Sequence, residues 1–157
     1  MELRFVPTTD EHAQFVAANC RPADREEFAA GSGEDPLTVL RYGVRVSTVL
    51  FTALVDGEAV CIFGVSPASM AYGIGCPWMV ATPRMERYAK TIVRVSGPII
   101  EEMHKVFPTL ANFVDCRNKK ALAWLHWLGF IIFEPVNHGK QGLPFHPFIR
   151  YANAPDS

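Results

Sequence analysis

The sequence predicts a mixed α/β domain, one sheet of parallel and antiparallel strands with helices on both faces. Three observations carry this. Residues 47–65 place the turn dipeptide Asp56-Gly57 between two apolar runs, the signature of an antiparallel hairpin. The apolar run Cys76–Ala81 (CPWMVA) is of buried-strand type and leads into a long helical pattern, RMERYAKTIVRV. A second run, Ala111–Cys116 (ANFVDC), leads through Asn118 into the helix KKALAWLHWL. A hairpin followed by two strand–helix units requires both strand directions in one sheet.

From the N-terminus, Glu2–Pro7 reads as a short strand. Thr8, Thr9 and Asp10 supply helix-capping oxygens for EHAQFVAANC. Pro22 opens a second short helix, PADREEFAAG, which Gly31 closes, and residues 31–35 form a loop. Pro36–Val46 carries Leu37, Leu40 and Val44 at helical spacing. The hairpin strands are Ser47–Val55 and Glu58–Val65, and Pro67–Gly75 is a loop of small residues. Thr82 and Pro83 suit the N-cap and first position of the long helix, which Ser96-Gly97-Pro98 should split before IIEEMHKVF. Pro108–Leu110 reads as a turn, and Asn118 and Gly129 bracket the last helix. Phe130–Phe133 is a strand, Val136–Gly142 a polar loop, and Leu143–Tyr151 a final strand whose prolines 144 and 147 suit a sheet edge.

The chain of 157 residues is the length of one domain, expected over residues 1–151, with 152–157 as a flexible tail. A net charge of −1 gives no global field toward nucleic acid or an anionic membrane, so nucleic acid is not an expected partner. Cys20, Cys61, Cys76 and Cys116 form no C-x-x-C pair and have no histidine at ligand spacing, so no metal is expected. Cys61 and Cys116 lie in apolar runs and read as buried thiols. The N-terminus lacks the apolar core of a signal peptide, and no apolar stretch reaches the ~18 residues of a membrane span.

The block Asn118–Phe130 (NKKALAWLHWLGF) is similar to the motif that follows the fifth strand of GNAT N-acetyltransferases, and the element order resembles that fold. Further blocks narrow the likeness: RPADREEFAAG (21–31), DGEAVCIFGV (56–65), GIGCPWMVATPRMER (73–87), FPTLANFVDCRNKKALAWLHWLGF (107–130) and GLPFHPFIR (142–150). Together they resemble a phage family of GNAT-like proteins that includes the internal virion protein A of short-tailed phages and prophage relatives.

The resemblance implies acetyl-CoA as cofactor. It places the coenzyme's phosphates at the helix start after Ala81, where free N–H groups and the helix dipole favour anions. GNAT enzymes carry a glycine-rich loop there. This chain reads ATPRMERYAK, without the glycines and with a proline that has no N–H. Arg84 and Arg87, i and i+3 neighbours continued by Lys90 and Arg94, are candidate phosphate ligands, as are Arg117, Lys119 and Lys120 beside Asn118. The same residues also read as a solvated helix face. The backbone of Trp78, Met79 and Val80 is the implied contact for the thioester, with Trp124 nearby.

Many GNAT enzymes use a tyrosine as general acid where this chain has Leu125. His126, Tyr88 and Tyr72 are alternative acids, and Glu58, Asp115 and Glu134 are candidate bases. Two functions follow from this. One is a virion or accessory protein with a degenerate acetyl-CoA site, contacting virion or host proteins through Trp124, Trp127 and the GLPFHPF segment. The other is an active N-acetyltransferase acting on a small amine or a host protein. The implied location is the host cytoplasm or the virion interior.

Overall fold

The computed structural model describes residues 1–152. The elements run β1 (Leu3–Val6), α1 (Asp10–Ala18), α2 (Pro22–Gly31), α3 (Pro36–Val46), β2 (Val49–Val55), β3 (Glu58–Ser69) and β4 (Ile74–Ala81). They continue α4 (Arg84–Val95), α5 (Gly97–Val106), β5 (Thr109–Asp115), α6 (Lys119–Trp127), β6 (Ile131–Ile132), β7 (Val136–His138) and β8 (Leu143–Tyr151). The sheet order is β1-β2-β3-β4-β5-β8-β6, with β7 also on β8. All pairs are antiparallel except β4–β5. The predicted mixed sheet is therefore present.

Helices α4, α5 and α6 cover one face, and α1, α2 and α3 the other. On the first, Met85, Ala89, Ile92 and Trp124 pack on Ala53, Val55, Cys61 and Ala81. On the second, Ala13, Val16, Ala17 and Leu40 pack on Ala59, Ile62 and Val80. The capping oxygen of α1 is that of Thr9, in a reciprocal box with His12. Ser96-Gly97-Pro98 divides α4 from α5 as expected, because Pro98 has no N–H to continue the ladder.

Several expected boundaries move. Strand β3 runs on to Ser69 and β4 begins at Ile74, so the loop read at 67–75 shrinks to a tight turn. Strand β5 starts at Thr109, inside the turn read at 108–110, because Thr109 N–H bonds to the Gly73 carbonyl. Phe130–Phe133 contracts to Ile131–Ile132, and Val136–His138, read as loop, is a strand on β8.

Thr82 does not cap α4 with its side chain. Its hydroxyl and its N–H both bond to the Val60 carbonyl, which holds it as an extension of β4. Cys116, read as buried, is part-exposed at the exit of β5, whereas Cys20 and Cys61 are buried. Ala152 is tied down through its N–H to the Pro108 carbonyl; the rest of the expected tail lies outside the described residues.

The largest correction concerns β8. It is not an edge but an inner strand, flanked by β5 on one side and by β6 and β7 on the other. The prolines fit because neither removes a ladder bond. Pro147 falls in the gap between the residues that pair β7 and those that pair β6, and its carbonyl accepts from Phe133 N–H. Pro144 lies beyond the last residue paired with β5.

Candidate functional site

Strands β4 and β5 are paired only at Ile74–Thr109 and Gly75–Leu110. Past these residues they part, and a window opens in the middle of the sheet. Alternation along a strand turns the main-chain groups of Pro77, Met79 and Ala81 toward this gap. Pro77, lacking an N–H, suits that side. The Asn112 side chain bridges the lower end, donating to the Pro77 carbonyl (2.7 Å) and accepting from the Phe113 N–H (2.8 Å). Met79 lies above this bridge.

A cavity of about 630 Å³ passes through the window. On the α4–α6 side its walls include Met85, Ile92, Ile100, Met103, Leu125 and Phe148; on the other side they include Phe28, Val39, Tyr42, Val46, Trp78 and His138. Trp78 lies flat against α3 because residue 43 is glycine. A Cβ there would sit 2.8 Å from the indole. The indole N–H donates to Ser47 Oγ at 2.7 Å. His138 stacks on Phe113 with ring centroids 3.8 Å apart.

The upper end of the window is closed by the first turn of α2. Arg21 N–H donates to the Ala81 carbonyl at 2.8 Å, and Ala81 N–H donates to Asp24 Oδ2 at 3.1 Å. The turn thus takes both main-chain groups that Ala81 would offer a neighbouring strand. On the β5 side, Asp115 N–H donates to Glu27 Oε1 at 2.8 Å. Asn118 joins the two, donating to Asp24 at 3.3 Å and to Glu27 at 3.4 Å while accepting from Ala121 N–H as the cap of α6.

Arg21, 3% exposed, is the cation of this clasp. Its guanidinium bonds to Asp24 at 2.8 Å, Asn118 at 3.1 Å and Glu86 at 3.3 Å, and lies 4.6 Å from the centre of a Trp124 ring. A buried pair of this kind requires such full satisfaction of its polar atoms to offset desolvation.

Burial pushes the Asp24 carboxyl up, against the opposing pull of Arg21 and the Ala81 N–H. Burial also pushes Glu27 up to about 7, and the Asp115 N–H only partly offsets this. Glu27 makes no ion pair among the described residues. It sits on the cavity wall.

Of the residues singled out from the sequence, Trp78, Met79, Val80, Asn118 and Trp124 are brought to the cavity wall. Arg84 and Arg87 are not. Arg84 pairs with Glu58 at the end of the β2–β3 hairpin and stacks on Tyr88, while Arg87 is exposed. These contacts account for Glu58 and Tyr88 and keep both outside the cavity; the two arginines hold the Tyr88 phenol below its ordinary range. His126 and Glu134 are exposed, and Tyr72 is 82% exposed. Asp115 is buried, with Arg117 bonded to it. Leu125 lines the cavity.

Sequence reasoning missed Arg21, Asp24 and Glu27. RPADREE reads only as the opening of a short helix, and the unpaired edge of β4 that draws these side chains inward is not written in the sequence.

The helix start implied as a phosphate seat is already in use. Pro83 has no N–H, and the N–H groups of Met85 and Glu86 are bonded to the carbonyls of Thr82 and Pro83. Glu86, in the first turn of α4, places its own carboxylate between Arg21 and Lys120, at 3.3 and 3.2 Å. The residues present do not fit a coenzyme pyrophosphate: donors are few and the anion position is taken. Among the described residues, no group of three His, Cys, Asp or Glu side chains is placed to hold a metal ion, and no helix is long and apolar enough to cross a membrane.

The backbone superimposes on solved structures across almost the whole chain. The fold is that of the GNAT acetyltransferases. An acetyltransferase of the GNAT family from Streptococcus pneumoniae superimposes with a TM-score of 0.67 at 14% identity, covering 97% of this chain and 100% of that one. An aminoglycoside acetyltransferase in complex with coenzyme A gives 0.67 at 12% identity, covering 96% and 95%. A spermidine N-acetyltransferase from Vibrio cholerae in complex with CoA and spermine gives 0.67 at 10%, covering 95% of each. Neither a family model nor a curated protein sequence matches the chain. The GNAT likeness is thus one of fold.

Proposed function

We propose that this chain is a phage-type GNAT-fold protein with a degenerate acetyl-CoA site, acting as a virion or accessory protein through contacts with virion or host proteins. One observation carries the loss of the cofactor. The Arg21–Asp24 turn hydrogen-bonds both main-chain groups of Ala81, and Glu27 takes the Asp115 N–H, so the chain itself bridges the gap between β4 and β5. A coenzyme laid along β4 would have to break these bonds and set its phosphates beside Asp24 and Glu86. The sequence blocks that resemble the phage family support the virion or accessory role.

The test is titration calorimetry of the purified chain with acetyl-CoA. The expected result is no binding up to millimolar concentration. Micromolar binding, followed by acetylation of an amine or of a host protein, would overturn the reading in favour of a working transferase.

A further inference from the structure

The cavity has a direction. Its exposed lining residues, Ser32, Tyr42 and Gly139, lie at the end of α2, on α3 and in the β7–β8 loop. On the α4–α6 side no lining residue is exposed, and Met85, Ile92 and Met103 are at most 3% exposed. The cavity therefore opens on the α1–α3 face, passes the window beside Met79 and Phe113, and ends blind beneath α4, α5 and α6. The blind end is walled by aliphatic and aromatic side chains, with methionines that adapt their shape to a guest. An apolar cavity of about 150 Å³ stays dry and takes up apolar guests, and the whole cavity here, polar frame included, is roughly four times that volume. It falls within the usual size range of small-ligand sites.

We infer that this cavity binds an alkyl chain, which enters from the α2–α3 side, passes between β4 and β5, and lays its tail in the blind lobe. The head group is left at the frame, beside Asn112, Met79 and the Glu27 carboxyl, and it is not an anion. Asp24 and Glu27 both line this part of the wall, and the one buried cation there, Arg21, is already bonded to Asp24, Asn118 and Glu86.

The test is a series of 1-alkanols from six to ten carbons, titrated into the intact protein. Binding is read by calorimetry and by the fluorescence of Trp78 and Trp124, both of which line the cavity. Affinity should rise three- to fourfold for each added methylene, the worth of about 0.8 kcal/mol of buried CH₂, and level off when the lobe is full. Filling the lobe with Ala121→Phe should move the levelling-off to shorter chains, and enlarging it with Met103→Ala should move it to longer ones. Alkanoates of equal length should bind at least tenfold more weakly at pH 8. Affinity independent of chain length, or a levelling-off that neither variant moves, would overturn the inference. Alkanoates that bind as tightly as the alkanols would overturn the head-group assignment. None of these outcomes bears on whether acetyl-CoA binds.

Discussion

At the scale of single residues, the clasp rests on charges buried against expectation. Arg21 and Asp24 are 3% and 4% exposed, and removing one partner of such a pair strands the other. Asp24→Ala should cost about 3–5 kcal/mol in urea unfolding, whereas Asp24→Asn, which keeps an acceptor for Ala81 N–H, should cost clearly less. Equal losses would mean that the charge, and not the acceptor for Ala81 N–H, is what matters.

Glu27 gives a pH signature. Its carboxyl ordinarily titrates at 4.5 and is pushed to about 7 by burial, so the folded state holds a proton that the unfolded chain has released. Its contribution to stability is complete below the unfolded value and is lost as pH rises through about 7. Glu27→Gln should therefore gain on the wild type by on the order of 2 kcal/mol between pH 4.5 and pH 8. A difference that stays flat with pH would show that Glu27 titrates normally.

At the scale of elements, α2 is fastened at both ends. Its first turn is locked into the sheet, and its last carbonyls are capped by the β7–β8 loop, where Lys140 N–H and Gln141 N–H bond to Gly31 and Ala30. The loop can approach so closely because Gly139 has φ of +80°; a Cβ there would meet the Ala30 carbonyl at 2.7 Å. Gly139→Val should cost about 1–3 kcal/mol and release the loop from α2, seen as faster amide exchange at Lys140 and Gln141. Unchanged exchange would mean that the seat is not needed.

Elements with a local signal were legible: the Asp56-Gly57 hairpin, the α1 cap among Thr8, Thr9 and Asp10, the Asn118 cap and the split at Pro98 all follow from nearest neighbours in sequence. Strand β7 and the inner position of β8 were not, because both depend on partners more than local pattern. Prolines usually mark an edge, and here each has a paired neighbour on one side only: Pro147 faces Phe113 of β5, and Pro144 faces Asn137 of β7.

At the scale of the whole molecule, the fold was legible because the order of strands and helices leaves few ways to build one sheet, and the GNAT-like block at 118–130 pointed to the same arrangement. The site was legible in part. Trp78, Met79, Val80, Asn118 and Trp124, named from the resemblance to GNAT enzymes, do line the cavity. The clasp could not be read, since Arg21 and Asn118 are 97 residues apart and nothing local links them. The shift of Arg84 from phosphate ligand to hairpin strut has the same origin, in a partner, Glu58, 26 residues away.

Because β4 and β5 share main-chain pairing only at Ile74 and Gly75, the sheet is two plates on a hinge. One plate is β1 to β4; the other is β5 with β8, β6 and β7. Across the seam beyond the hinge, the ties run through side chains: Asn112 low down, and the α2 turn with Asn118 at the top. Side-chain ties yield before a continuous ladder does. A scissoring of the two plates about Gly75 would break no main-chain pairing between them, and the turn of helix that closes the seam belongs to neither plate.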